Sequence, residues 1–523
     1  MEVTKKNKSL IQGPQTTSNG QNSEEEDQNT YNFGYLEDDE NKEKIISEYK
    51  SYCNSAQPTT ACIPECLKQL KTGTRLQKLK SGVLLRKLLI LEETAPKDKI
   101  QQSGVVKDMV DLVKTSDEHL LRADLTWCLT NLAAGNEQNV RNLEKNHAIE
   151  LFVAYLEDPD PELANNCVWG LSNVAITGAE FRDLVLGLGG VDGLLKIYKK
   201  FKNQKNKGYL MRNVIWAIRS ICTTKPKPNE SVLLKVVPIL SEILQKIIKT
   251  KKIDFSEIQT GMILNVTRSL EVLRTDSELK AACKRKLVKT LVSFILAKNP
   301  KKAPNSVILS CLEVLGFFTS KSDDPCQDVV DNSGIEAFFE MLDHEYWKIR
   351  KKACWALSNI SAGTFGQIQA ILDRSGLYQK LMKMATEDEL LVRREASWVI
   401  CNFTINPSAS QLSFLLQERF LTLLRNIISV AEDNAEMLEN AFLALRNVFR
   451  HGIDKLGLPE GVDSPLIMEV RSVGLDKLVL KYKENENTWV KKSAGYVIRY
   501  LDHGSEAWEE TKIWYRGWRR AQA

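Results

Sequence analysis

Apolar residues recur along most of this chain at the spacing of one helix face. Val105, Val106, Met109, Val110, Leu112 and Val113 gather on one side of a 3.6-residue wheel. Leu120, Leu121, Leu125, Cys128, Leu129 and Leu132 do the same in the next segment. Short polar stretches such as Glu157-Asp158-Pro159-Asp160-Pro161 and Thr386-Glu387-Asp388 separate such segments. The pattern predicts an all-α protein of short helices joined by tight turns.

The helices repeat. DLTWCLTNLAAG (124–135), NNCVWGLSNVAITG (165–178), KKACWALSNISAG (351–363) and EASWVICNFTIN (395–406) each place Asn four residues after Trp. The pairs are Trp127/Asn131, Trp169/Asn173, Trp355/Asn359 and Trp398/Asn402, and RNVIWAIRSICT (212–223) has Trp216 followed by Ser220. Trp127 to Trp169 is 42 residues, Trp169 to Trp216 is 47 and Trp355 to Trp398 is 43. Trp216 to Trp355 is 139, room for two repeats without Trp, around 260–265 and 312–316; Asn447, 45 beyond Asn402, extends the series. Ser103-Gly104, Ser333-Gly334 and Ser375-Gly376 punctuate the units, the glycine supplying a left-handed turn residue. A unit of about 42 residues with two or three helices fits the armadillo and HEAT class. No unit buries its apolar face alone, so about ten of them between residues 63 and 503 must stack.

Trp and Asn four apart share a helix face. One such pair is ordinarily packing; half of the chain's ten tryptophans at one register is more than packing requires. Leu129, Leu171, Ile218, Leu357 and Ile400 already supply core at neighbouring positions. In register, the carboxamides make a ladder flanked by indole walls. A carboxamide has one acceptor and two donors, which suits the backbone of an extended peptide whatever its side chains. Indole faces take the stems and charged heads of Lys or Arg, at ~0.5–1 kcal/mol exposed and about 2 when desolvated. A peptide rising ~3.3 Å per residue past helices 8–10 Å apart meets a rung every second or third residue. The chemistry is that of a groove for short, extended, basic segments.

From about residue 63 to 503 the sequence resembles importin-α, on the strength of TWCLTNLAAGNEQN, CVWGLSNVAITGAEFRDLV and KKACWALSNISAG. The resemblance implies a right-handed armadillo solenoid that receives nuclear localisation signals and moves between cytoplasm and nucleus. It implies a first peptide site at Trp127, Asn131, Gly135, Trp169, Asn173, Asn213 and Trp216, and a second at Trp355, Asn359, Glu395, Trp398 and Asn402. It implies partners as well: basic cargo, an export receptor and importin-β. Three positions depart from the family. Thr177 stands where an Asp pairs with the signal's key lysine, Ser220 replaces a ladder Asn, and Lys352 stands where a Glu is usual and would repel a basic ligand. Lys249, Lys251, Lys252 and Arg268 are basic where acidic groove residues are expected. These departures favour a second reading, an armadillo scaffold or paralogue with lost or altered cargo binding.

Charge sharpens one point. Residues 1–60 hold 6 Lys, no Arg and 11 Asp or Glu, a balance of −5 against +10 for the rest, and the first arginine is Arg75. The arginine-rich importin-β-binding helix of the family is not evident in 1–74, where the one basic cluster is Lys5, Lys6 and Lys8 and Glu24-Glu25-Glu26-Asp27 has the opposite sign. The polar composition of 1–62 reads as a disordered arm, 63–503 as the repeat domain and 504–523 as a tail. No apolar run approaches the ~18 residues of a membrane span, and the polar start is no secretory signal. Cysteines inside the helical patterns (Cys128, Cys167, Cys354, Cys401) suit a reducing compartment. The overall +5 does not argue for nucleic acid. Cys62 and Cys66 lack a second pair for zinc, the five histidines are scattered, and Gly187-Leu188-Gly189-Gly190 has neither the strand nor the Lys-Ser/Thr of a phosphate loop. No metal, cofactor or catalytic set is indicated, so the expected activity is binding and not catalysis.

Overall fold

The structure, a computed structural model, describes residues 40–91, 95–204, 208–249, 257–272, 277, 286–297, 303–320, 323–431, 434–459 and 464–503. These are helices and short turns, with no strand among the described residues. The chain divides into two compact units. The first comprises Met1–Ile243 with Asp254–Val272, the second Leu244–Ile253 with Leu273–Ala523.

In both units the repeating element ends in a long helix. In the first unit these helices are α1 (Arg75–Leu91), α2 (His119–Ala133), α3 (Pro161–Thr177), α4 (Gly208–Thr223) and α5 (Glu257–Leu270). In the second they are α6 (Asn305–Thr319), α7 (Trp347–Ser361), α8 (Leu390–Asn402), α9 (Ala435–Leu456) and α10 (Thr488–His503). Each packs on the next within its unit. The ten agree with the number of repeats expected, and α5 and α6 occupy the two positions without Trp. Two shorter helices precede most of them, as Phe365–Asp373 and Leu377–Glu387 precede α8.

Stacking is what buries the apolar faces. On α7, Ile349, Ala353, Cys354, Ala356, Leu357 and Ile360 are inaccessible to solvent. Truncating a fully buried leucine of this kind costs ~2–5 kcal/mol. Cys128, Cys167, Cys354 and Cys401 are buried, as their spacing implies, and burial raises their thiol pKa values. Polar side chains then set the register between repeats. Capping boxes formed by Asn136 with Asn139, Thr364 with Gln367 and Ser408 with Gln411 start the first short helix of three repeats. The same Gln411 donates to the carbonyl of Phe365 one repeat earlier, at 2.8 Å. Arg122 on α2 and Arg350 on α7, each five residues before its Trp, pair with Asp158 (2.8 Å) and Asp388 (2.6 Å).

The turn glycines behave in two ways. Gly104 and Gly376 have the expected positive φ, 77° and 78°. At Ser333-Gly334 the left-handed residue is Ser333, φ 67°, and Gly334 is needed for closeness instead: a Cβ there would lie 2.3 Å from Cγ1 of Val329.

The amino-terminal boundary differs from expectation. Glu40–Ser55 is a helix packed on α1, inside the stretch read as a disordered arm. Tyr49 is fully buried, and its hydroxyl donates to Oδ2 of Asp124 at 2.8 Å. Lys87 of α1 donates to the carbonyl of Ala56 at 2.9 Å. The acidic composition masks a stripe of Ile45, Ile46, Tyr49, Tyr52 and Cys53 at helical spacing. Residues 1–39 and the tail 504–523 lie outside the described residues, as do Lys251 and Lys252.

Candidate peptide-binding faces

The two expected sets of residues fall one in each unit. The first unit carries Trp127, Asn131, Trp169, Asn173, Asn213 and Trp216 on α2, α3 and α4, with Gly135 just beyond the end of α2. The second carries Trp355, Asn359, Glu395, Trp398 and Asn402 on α7 and α8. All five indoles are half-buried, so none has been withdrawn into the core. A large ring left partly wet in five of the repeats is exposed apolar surface.

In the first unit Trp169 and Trp216 meet edge to face, ring centroids 6.5 Å apart at 71°. Trp127 has a different neighbour. The guanidinium of Arg86, from α1, lies 4.7 Å from its ring centroid, and Nε of Arg86 is 3.0 Å from Oδ1 of Asp124. The Asp124 carboxylate is wholly buried; burial pushes its pKa up to about 6, partly opposed by Arg86 and by the Tyr49 hydroxyl. Gly135 has a packing role, since a Cβ there would run into the Asn139 side chain that caps the next helix.

The carboxamides are less exposed than a free ladder would be. Asn173 and Asn402 are 2% and 8% exposed, and each donates from Nδ2 to a carbonyl of the preceding long helix: Thr130 at 3.1 Å and Ser358 at 2.9 Å. Asn359 reaches the carbonyl of Gly316 at 3.3 Å and the hydroxyl of Thr319 at 3.2 Å. Asn447, one repeat on, meets the Thr404 hydroxyl at 3.4 Å. These side chains join neighbouring repeats with one donor. What Asn173 keeps is its carbonyl oxygen Oδ1, which is buried and without a hydrogen-bond partner. Asn131 is the more exposed rung, and its Nδ2 has no partner. Asn213 donates to Oδ1 of Asn165 at 2.9 Å. The contacts run to residues about 40 positions away, so only the repeat period, applied to polar residues as well as to Trp, signals them.

The family departures resolve individually. Thr177 turns its hydroxyl back to the carbonyl of Asn173 at 2.9 Å. Ser220 is buried, with its hydroxyl unpartnered. Arg219 beside it donates to Oδ1 of Asn265 at 3.3 Å, and burial together with the charge of Arg268 holds its pKa down near about 10. Lys352, expected to repel a cation, has its own charge balanced: Nζ is 2.8 Å from Oε1 of Glu313 and 4.3 Å from the centroid of Trp355. Trp355 also packs edge-on against Phe317 at 5.8 Å. Glu395 is 9% exposed; burial raises its pKa against the pull of Arg394, Lys351 and Lys352. Arg86 and Glu313 were missed by sequence reasoning, although each stands one repeat before a Trp, 41 and 42 residues respectively.

Among the described residues no group of three or more His, Cys, Asp or Glu could hold a metal ion, and no helix is long and apolar enough to cross a membrane.

Comparison with known proteins agrees with this architecture. The family model for the armadillo/beta-catenin-like repeat matches residues 322–362, the repeat of Trp355 and Asn359. A crystal structure of an engineered protein, 19% identical, superposes with a TM-score of 0.67 over 84% of this chain and 99% of that one. The chain has an armadillo-repeat fold. Its curated relatives narrow the class. Importin subunit alpha-1b of Oryza sativa subsp. japonica is 26% identical over 308 residues, 58% of this chain and 54% of that protein. Importin subunit alpha-8 of Arabidopsis thaliana is 25% identical over 395 residues, 75% of this chain and 83% of that protein. The chain spans about half the length of the first of these relatives. Over these stretches the chain is similar to importin-α subunits.

Proposed function

We propose that this chain is a receptor for nuclear localisation signals, an adaptor that binds extended basic peptides on its Trp/Asn faces. The reading rests above all on five half-buried indoles at one register of consecutive long helices, three in the first unit and two in the second. Cationic side chains stack on such rings. The importin-α relatives support the same reading, and with it a location in cytoplasm and nucleus, basic cargo proteins and an export receptor as partners. An importin-β partnership is not assigned, because the basic helix that would carry it is not evident in the sequence. The activity is binding; no catalysis enters the proposal.

The test is titration of a labelled lysine-rich peptide. Binding at micromolar or better that weakens with salt is expected. Trp169→Ala should reduce affinity by about tenfold or more, the equivalent of one desolvated cation–π contact. Affinity unchanged by both Trp169→Ala and Trp398→Ala would refute the reading.

The second reading, a scaffold with altered cargo choice, is favoured by one observation. The chain's own Arg86 and Lys352 already lie on the rings of Trp127 and Trp355. Under that reading oligolysine binds no better than a neutral peptide.

A further inference from the structure

Taking the peptide-binding reading as its premise, we propose that Lys352 is a resident competitor for the second face: its ammonium group occupies the place a ligand lysine would take on Trp355.

The repeat register makes the argument. Glu313 lies 42 residues before Trp355, so on α6 a carboxylate stands where other repeats carry the indole; Phe317, four residues on, stands in the Asn register. The rung between α6 and α7 therefore offers a carboxylate on one side and an indole face on the other. That combination captures an alkylammonium ion, by ion pairing and cation–π attraction together. Lys352, three residues before Trp355 on α7, fills it from within: Nζ is 2.8 Å from Glu313 and 4.3 Å from the ring. The Lys352 and Glu313 side chains remain 26% and 34% exposed, so an incoming lysine can reach the pair and exchange with it.

The consequence is selectivity. A peptide whose lysine must sit on Trp355 competes with a tethered cation at high local concentration. A peptide anchored at Trp398 binds without that competition, and reaches the Trp355 subsite as well only once Lys352 is removed. Lys352 thus sets which part of the second face a basic ligand uses, and removing it creates a lysine subsite without adding any contact.

The experiment uses the full chain and a fluorescein-labelled octalysine peptide, read by fluorescence anisotropy at about 0.1 M salt. The signal followed is the binding component that Trp398→Ala removes. Lys352→Gln is expected to tighten that component about tenfold, Lys352→Arg to leave it unchanged, and Trp355→Ala in the Lys352→Gln background to abolish the gain. Lys351→Gln removes the same charge from the same helix without clearing the ring, and should change affinity less than twofold. Lys352→Met serves if the Gln variant does not fold. Peptide binding with equal affinity for wild type and Lys352→Gln, or equal gains from Lys351→Gln and Lys352→Gln, overturns the inference and leaves the peptide-binding reading intact. No binding by wild type or any variant overturns both.

Discussion

The carboxamide nitrogen of Asn173 donates to the carbonyl oxygen of Thr130 across 3.1 Å, from one long helix to the one before it. The residue that the sequence marks as a ligand rung is thus also a clamp between repeats. Asn402 repeats the contact with Ser358 in the second unit. Each carbonyl is the acceptor in its own helix as well, so loss of the clamp removes one bond and leaves the acceptor satisfied.

Asn173→Ala should therefore lower stability by about 1 kcal/mol in urea unfolding, besides any effect on peptide binding. A variant that loses peptide affinity with unchanged stability would show the side chain acting on ligand alone. Stability and affinity have to be measured on the same preparation for that reason.

Trp169 and Trp216 are predicted to be coupled. Their rings meet edge to face at 6.5 Å, a geometry worth about 0.5–1.5 kcal/mol beyond burial. A double-mutant cycle over Trp169→Ala and Trp216→Ala should return a coupling energy in that range. Additive effects would mean that the two rings act as separate subsites.

Much of this architecture is legible in the sequence because it is periodic. The Trp/Asn spacing predicts the long helices, including α5 and α6, which lack the Trp, and apolar spacing predicts the burial of Cys128, Cys167, Cys354 and Cys401. The helix Glu40–Ser55 is not legible in the same way. Its stripe of Ile46, Tyr49 and Cys53 is short, and acidic neighbours dominate the composition. The environment of the indoles is hidden for another reason. Whether a ring faces water or an internal cation depends on a residue one repeat away or three positions before it, as with Arg86 and Lys352. A motif read one repeat at a time contains no information about Arg86, and it shows Lys352 without the Glu313 carboxylate that holds it on the ring.

The buried Tyr49–Asp124 contact predicts that the helix Glu40–Ser55 contributes to stability. The chain lacking residues 1–39 is the reference for this test. Deleting 1–62 removes the Tyr49 hydroxyl from a carboxylate that is wholly buried, and should lower the melting temperature by several degrees. Tyr49→Phe isolates the hydroxyl and should cost about 1–3 kcal/mol. Equal melting temperatures for the two deletions would mean that the helix contributes nothing.

Asp124 also fixes a pH dependence. Burial raises its carboxyl from 3.8 to about 6. A group with a raised pKa in the folded state contributes stability that is present below its unfolded pKa and lost as pH rises through the folded one. Wild type should therefore lose stability relative to Asp124→Asn as pH rises from about 4 to about 6, by at most about 3 kcal/mol, with a flat difference above that. Melting curves of both proteins at matched pH test this. A difference that grows in wild type's favour over that range would mean that the Arg86 ion pair outweighs desolvation.

Arg86 and Lys352 place the same kind of cation on the same kind of ring, yet the two substitutions should behave differently. Asp124, the partner of Arg86, is inaccessible to solvent, and Arg86 itself is 11% exposed. Arg86→Gln leaves a buried carboxylate without its counter-charge, a loss of about 3–5 kcal/mol at neutral pH. Part of that should return as pH falls, because without Arg86 the buried Asp124 carboxyl takes up a proton more readily than in wild type. Glu313, the partner of Lys352, is 34% exposed and can be rehydrated, so Lys352→Gln should change stability by only about 0–1 kcal/mol. The cation on Trp127 is therefore part of the fold, held by a buried partner and by the helix Glu40–Ser55 behind it. The cation on Trp355 is exchangeable. Unfolding curves of the two variants at pH 7 and pH 5 separate the cases, and a large stability loss in Lys352→Gln would make that lysine structural as well.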